Sequence, residues 1–201
     1  MNAFFRKANA GELRGAAAII HAVSDGVTDA LAGGLPINPA EALSLAFMMK
    51  MGCFSLENIT VAELDGKMAG MLFAYPGAQH HLPAAAVPYL NRRSRERLAS
   101  FFSAVDLSAL HVNTLWVDEE FRSCGIGRAL LRKAREIARS RGLDRLGLFV
   151  WPENDRALAF YRKNGFRVSR EIPPTDPPMS GRDGPHRAGG LLLVDGEAPG
   201  R

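Results

Sequence analysis

The sequence predicts an α/β fold built on a mixed sheet, and three observations carry that prediction. Two apolar, strand-like runs, NITVAEL and KMAGMLFAY, flank Asp65-Gly66, the pattern of a two-residue hairpin turn. From 110 to 172, strand-like and helix-like runs alternate: LHVNTLWV, an amphipathic stretch, RLGLFVW, NDRALAFYRKNG and FRVSREI. Local pairing early in the chain and strand–helix alternation later place both in one layered domain.

The elements follow in order. Residues 3–8 read as a first strand. From Glu12 to about Ala32, Ala, Leu and Ile dominate and predict one helix, which GGLPINP breaks. Pro39 suits a first helical position, and 40–51 read as a second helix. The hairpin comes next. Segment 76–106 is less regular. Its part PGAQHHLPAAAVP is loop-like, with His80-His81 lacking metal-ligand spacing, and NRRSRERLASFFSAV reads as helical. The whole is a long insertion between strands, too short for a core of its own. LHVNTLWV, 110–117, reads as a buried strand that carries the polar His111, Asn113 and Thr114. Over 125–141 the apolar Ile126, Leu130, Ala134, Ile137 and Ala138 recur at three and four, and Gly142 fits the stop. RLGLFVW, 145–151, is a strand. NDRALAFYRKNG is a short helix with Asn154 as N-cap and Gly165 as stop. FRVSREI, 166–172, is a strand, and a Pro- and Gly-rich loop leads to a last one near 187–194. The tail DGEAPGR reads as frayed.

Composition narrows the function classes. The chain has 201 residues, 47% hydrophobic and 23% charged, the balance of a soluble globular protein. Cys53 and Cys124 are the two cysteines, in unrelated contexts; they make neither a disulfide framework nor a metal-ligand cluster and fit a reducing compartment. The N-terminus lacks the apolar core of a signal peptide, and LAFMMKMGCF is short and interrupted by Lys50, far from the about 18 apolar residues a span needs. The expectation is a cytoplasmic protein with no membrane partner and no metal. A net charge of +4 leaves anionic partners open. Arg and Lys crowd 122–145, but no aromatic residues interleave for stacking on bases, so this reads as a solvated face beside phosphates rather than a nucleic-acid surface.

The stretch RSCGIGRALL, 122–131, follows a strand and opens a helix. The first N–H groups of a helix have no intrahelical partner, and the dipole adds partial positive charge there. Glycines let the backbone reach positive φ and approach an anion closely. Such a loop can cradle a phosphate on backbone amides. A plain turn into a helix reads equally well from the loop alone. Among phosphate loops, GxxxxGK[ST] is missing, and G-x-G-x-x-G fails because Leu130 stands at its last position.

RSCGIG does fit [RQ]-x-x-G-x-[GA], the coenzyme A pyrophosphate loop of the GNAT acetyltransferase superfamily. LHVNTLWVDEEFRSCGIGRALLRKAREIARSRG resembles that family's motif A, and LGLFVWPENDRALAFYRKNGFRV resembles its motif B; together they run from 110 to 168 without a gap. The resemblance implies a GNAT acetyl-CoA-binding fold, a mixed, mostly antiparallel sheet flanked by helices. It implies a single domain over 1–201, with motif A at 110–141, motif B at 145–168 and the insertion at 76–106. It implies transfer of an acetyl group from acetyl-CoA to a primary amine by direct attack. The alternative is a non-catalytic acyl-CoA-binding or regulatory protein of the same fold. A homodimer stays open.

Residue by residue, the resemblance puts the pyrophosphate on the backbone amides of Arg122, Ser123, Cys124, Gly125, Ile126, Gly127 and Arg128, with Gly125 and Gly127 keeping the loop open. Cys124 stands at a variable position and reads as incidental. Leu115 and Val117 hold the strand positions whose backbone meets the pantetheine and the thioester carbonyl, where an amide would stabilise the developing oxyanion. Asn154 matches an asparagine near the pantetheine arm, a role compatible with capping a helix. Arg156 reads either as a coenzyme contact or as solvated charge. Tyr161 matches the tyrosine that protonates the departing thiolate, and a phenol, with pKa near about 10, is a donor at neutral pH. His111 stands where some members carry a basic carboxylate, and its ordinary pKa of about 6.5 suits a base; a buried structural histidine is the competing reading. Glu63 on the hairpin is a further candidate base. Nothing in residues 12–51 or 76–106, which wall the acceptor side in this family, names the acceptor.

Overall fold

All the strands predicted above form and enter one sheet. The computed structural model describes residues 3–33, 35–84, 86–174, 180–181, 184–185 and 189–195. Along the chain these are β1 (Phe4–Lys7), α1 (Leu13–Val23), α2 (Val27–Ala32), α3 (Pro39–Met48), β2 (Ile59–Leu64), β3 (Lys67–Pro76), α4 (Arg92–Ser103), β4 (Leu110–Val117), α5 (Ile126–Ser140), β5 (Leu146–Val150), α6 (Asp155–Lys163), β6 (Phe166–Ile172), β7 (Ser180–Gly181), β8 (Gly184–Pro185) and β9 (Gly190–Asp195). The seven-stranded sheet has the order β1-β2-β3-β4-β5-β9-β6. Its pairs are antiparallel except β4 with β5. The mixed, mostly antiparallel sheet flanked by helices is thus as predicted.

Strand alternation sends β3 side chains to two cores. Leu72 and Ala74 join Leu130, Leu131 and Ala134 of α5 on one face. Met71, Phe73 and Tyr75 join Ala16 and Ile20 of α1 and Leu43 and Phe47 of α3 on the other. Gly70 permits the close approach of α5: a Cβ there would lie 2.9 Å from the Trp116 carbonyl oxygen and 3.0 Å from Ile126 Cγ2. At the hairpin tip Asp65 and Gly66 both take positive φ, 51° and 74°, which a two-residue turn matched to the strand twist requires.

Four boundaries differ from the expectations. The single helix over 12–32 is two, because Asp25 (φ 44°) and Gly26 (φ 88°) are left-handed between them. The Ser24 hydroxyl donates to the His21 carbonyl at 2.9 Å, which closes α1 at that point. The helix expected over 40–51 runs from Pro39, capped by Asn38, and ends at Met48, since Lys50 (φ 50°) and Gly52 (φ 61°) turn the chain. Segment 76–106 has no core of its own, as expected, but shares one with α2, through Leu90 and Leu98 against Val27 and Ala30. Asp195 is not tail. It ends β9, buried, where its carboxylate accepts from Arg135 Nε at 2.7 Å and from the Leu146 amide at 2.5 Å. The strand expected over 187–194 is seen from Gly190; residues 187–188 and the tail beyond Asp195 lie outside the described residues.

Candidate functional site

The site begins where two strands part. β4 and β5 pair only at Leu110–Leu146 and His111–Gly147, and then diverge. From there to Val117, β4 keeps its bonds to β3 alone on that part of its length. The register with β3 shifts between Phe73, opposite Thr114, and Ala74, opposite Val112, so Asn113 is the extra residue of a bulge. The opening is a cavity of about 870 Å³, walled by β4, β5, the α1–α2 turn, α4, the loop before α5, and α6.

The loop has the geometry an anion site needs. Asp118 accepts from the Glu120 amide at 3.0 Å and starts a short turn. Arg122 is tied back by Glu119, 2.7 Å from its Nη1, and by the Val117 carbonyl, 3.4 Å from its Nε. Ser123 (φ 65°) and Gly125 (φ 84°) are both left-handed, which turns successive N–H groups toward one side. No side chain caps the α5 N-terminus. Arg122, Ser123, Gly125, Ile126, Gly127 and Arg128 all line the cavity. Gly127 has a reason besides an open loop: a Cβ there would lie 3.2 Å from Phe160 Cζ, so glycine lets α5 abut α6. Cys124 is exposed and does not line the cavity.

Motif B supplies the facing wall. Asn154 caps α6, its Oδ1 accepting from the Ala157 amide at 3.0 Å, and it lines the cavity as well. Arg156 is exposed at the cavity rim. Tyr161 lines the cavity with its ring against Phe160 and Phe166, centroids 5.3 Å away in each case, and burial pushes its phenol above the ordinary value. Leu115, opposite Leu72, and Val117, opposite Gly70, line the open edge of β4.

The two proposed bases part company. Glu63 is not at the site. Its carboxylate is 2.7 Å from Arg6 Nε on the neighbouring β1, outside the cavity lining, and the bulge at Ala62/Glu63 accompanies that displacement. His111 does reach the cavity. It is buried, both ring nitrogens lack a hydrogen-bond partner in the protein, and burial, then the neighbouring His80, hold its pKa well below the ordinary value.

His80 lies in the loop after β3, as the sequence indicates, yet it is buried, with its ring 4.0 Å from that of His111. Its Nε2 faces the Phe101 carbonyl at 3.2 Å, so that nitrogen carries the proton. Burial pushes its pKa down to about 4, so the ring is neutral and Nδ1 accepts from the Tyr75 hydroxyl at 3.0 Å. Asn113 Nδ2 donates to that same hydroxyl at 3.1 Å, and Thr114 Oγ1 donates to Asn113 Oδ1 at 3.0 Å. A directed chain thus runs from the bulge of β4 to α4. Cys53 lies beside Tyr75, and burial pushes its thiol up to about 12. Asn113 and Thr114 were visible as polar residues in a buried strand; Tyr75, His80 and Cys53 carry no spacing signal. Among the described residues, no group of three or more His, Cys, Asp or Glu is set to hold a metal, and no helix is long and apolar enough to cross a membrane.

A strand that leaves its parallel neighbour, a left-handed loop and an uncapped helix at the opening define a strand–loop–helix unit within a mixed sheet. The acetyltransferase (GNAT) family matches residues 51–166, more than half of the sequence, and the chain belongs to that family. A mycothiol acetyltransferase of Beutenbergia cavernae is 41% identical over 70 residues, 34% of this chain and 24% of that protein. A peptidyl-lysine N-acetyltransferase of Escherichia coli is 36% identical over 63 residues, 31% of this chain and 40% of that protein. These matches span well under two thirds of the curated relatives. An N-acetyltransferase of Staphylococcus aureus Mu50 shares the fold, with a TM-score of 0.64 at 17% identity over 95% of this chain and 99% of that one. So does an Elizabethkingia anophelis GNAT acetyltransferase solved with acetyl-CoA bound, with a TM-score of 0.56 at 16% identity over 98% of this chain and 99% of that one.

Proposed function

We propose that this chain transfers an acetyl group from acetyl-CoA to a primary amine by direct attack. The carrying observation is the loop left-handed at Ser123 and Gly125, which opens the uncapped α5 into the gap between β4 and β5. The amides of 122–128 hold the pyrophosphate, Arg122 and Arg128 add charge, and Asn154 and Arg156 flank the pantetheine. The open edge at Leu115 and Val117 offers backbone groups to the thioester. The amine nitrogen attacks the carbonyl carbon, the C–S bond breaks, and the departing sulfur takes the Tyr161 proton. Burial keeps that phenol protonated at neutral pH. The amine attacks as the free base and its proton leaves through water; His111, neutral and without a protein partner, offers that water or the amine a hydrogen bond. Direct attack is further supported by the Cys53 thiol: pushed up to about 12, it is not a thiolate nucleophile. The names of the mycothiol and peptidyl-lysine relatives support the reaction class. A single domain over 1–201 and a cytoplasmic location, where acetyl-CoA is made and used, complete the proposal.

The test is thiol release from acetyl-CoA with a mixed amine panel, beside coenzyme A binding by calorimetry. Release that depends on amine and drops with Tyr161→Phe is expected. Coenzyme binding with no release from any amine would leave a non-catalytic binder and overturn turnover.

A further inference from the structure

Asn113 is held at both ends of its side chain. Its Nδ2 donates to the Tyr75 hydroxyl at 3.1 Å, and its Oδ1 accepts from Thr114 Oγ1 at 3.0 Å. It is also the extra residue of the β4 bulge, and it lines the cavity. Asn113 is only half-buried, so water in the cavity could satisfy its amide. The bond to Tyr75 therefore fixes a direction rather than rescuing a stranded donor. Tyr75 is fixed in turn. It is 1% exposed, and its ring meets Phe73 at 5.0 Å and His111 at 5.5 Å between centroids. Its hydroxyl proton goes to His80 Nδ1 at 3.0 Å, because His80 Nε2 gives its own proton to the Phe101 carbonyl at 3.2 Å. That leaves Tyr75 no proton for a reacting group. His80 is buried and does not line the cavity; its ring meets Phe101 at 5.0 Å and Phe102 at 5.1 Å.

We propose that Tyr75 and His80 are positioning residues for acetyl transfer: through Asn113 they hold the β4 bulge in one conformation, and with it the backbone that the open edge of β4 presents to the thioester. This rests on the acetyl-transfer reading and adds to it two residues from outside the coenzyme loop and motif B. A bulge re-aims the strand that carries it. This one falls between His111, at the last pair of β4 with β5, and Leu115 on the open edge. A carboxamide without an anchor there would exchange its partners with water, and the bulge would sample several backbone arrangements. Groups that must meet a developing charge then lose their fixed geometry, which lowers the rate of the chemical step more than it weakens binding. The anchor is built from separate elements. Tyr75 comes from the end of β3, His80 from the loop beyond it, and the Phe101 carbonyl from the last turn of α4.

The test uses the full chain and two readouts. Thiol release from acetyl-CoA, with the amine of the mixed panel that gives the fastest release, yields kcat and KM, and calorimetry yields the coenzyme A Kd. Tyr75→Phe keeps the ring and removes the oxygen. It is expected to lower kcat at least tenfold, with KM and the coenzyme Kd within twofold of wild type. In an Asn113→Ala background the same substitution is expected to lower kcat by less than a further twofold, because both changes break one bond. An unchanged kcat, or effects that multiply in the double variant, overturns the proposal. The second readout needs no turnover. NMR of the wild type with coenzyme A bound is expected to show a nuclear Overhauser contact between the Asn113 side-chain amide and the Tyr75 ring. In Tyr75→Phe the backbone amides of Thr114 and Leu115 are expected to exchange at least tenfold faster, while that of Leu148 is unchanged. A wild-type spectrum without that contact overturns the proposal even where the variant fails to fold, and wild-type exchange rates in the variant do the same. No thiol release from the wild type with any amine, beside the expected contact and exchange, overturns acetyl transfer and leaves the anchored bulge standing.

Discussion

Acid should loosen this protein through its buried imidazoles. An ordinary histidine takes up its proton near about 6.5, but burial pushes His80 down to about 4. Over that window the unfolded chain binds a proton at this position and the folded chain does not. The folded-state value is the depressed one, so the contribution is complete above about 6.5 and is lost as the pH falls toward 4, at about 1.4 kcal/mol per pH unit. Across the window His80 alone withdraws about 3 kcal/mol, a sizeable part of a margin that is typically about 5–15 kcal/mol. His111 is displaced in the same direction, first by burial and then by His80, and adds to the loss. Glu12, whose carboxyl the Arg6 guanidinium holds below the usual range, gives way only at lower pH. The assay is urea unfolding of wild type and His80→Gln between about pH 7 and about pH 5. The amide retains a donor for the Phe101 carbonyl and does not titrate. Wild-type stability should fall more steeply than that of the variant, by about 1.4 kcal/mol per pH unit. Parallel slopes would refute the reasoning, as would an NMR titration of His80 in the folded protein with a midpoint near about 6.5.

Four further outcomes follow from named residues. Tyr161→Phe should lower turnover by about a hundredfold or more while the coenzyme Kd stays within about twofold, measured by thiol release beside calorimetry. Gly70→Ala should cost about 1–3 kcal/mol in chemical unfolding, because its Cβ would meet the Trp116 carbonyl oxygen at 2.9 Å and backbone must move. Asp195→Ala should cost about 1–3 kcal/mol, chiefly by leaving the buried Leu146 amide without its acceptor. Glu96→Ala should leave the unfolding midpoint unchanged, since its partner Arg92 is 88% exposed and the pair is screened by water.

The donor half was legible because it is written in local patterns. Glycines at positive φ, a strand, a helix with apolar residues at three and four, and an asparagine cap are each readable within a few residues, and they lie in one run from Leu110 to Val168. The helix break at Asp25-Gly26 carried the same kind of signal, a turn dipeptide, and was passed over because Ala-rich sequence continues on both sides. The acceptor half is different in kind. Val27, Phe54, Tyr75 and Phe101 belong to four separate segments, and only tertiary packing brings them to one cavity. His80 next to His81 in a Pro- and Ala-rich stretch gives no hint that one ring is buried and the other is not. Glu63 fails for a reason sequence does not carry: the register of β2 against β1 and the pull of Arg6 take it from the cleft.

The bulge at Asn113 links the two halves. One added residue in β4 shifts its register against β3 just beyond the point where β4 parts from β5. Downstream, Leu115 and Val117 run along the open edge toward the loop proposed to hold the donor. At the bulge itself, the Asn113 amide turns to Tyr75 and through it reaches His80 and α4. His111 lies two residues before the bulge, at the last paired position of β4 with β5, with its ring against both Tyr75 and His80. Under the proposed acetyl transfer, this single irregularity in one strand lies where the donor's carbonyl and the acceptor's nitrogen would meet. Its side-chain chain of hydrogen bonds, complete only while His80 is neutral, makes that meeting point depend on the same burial that sets the acid sensitivity of the fold.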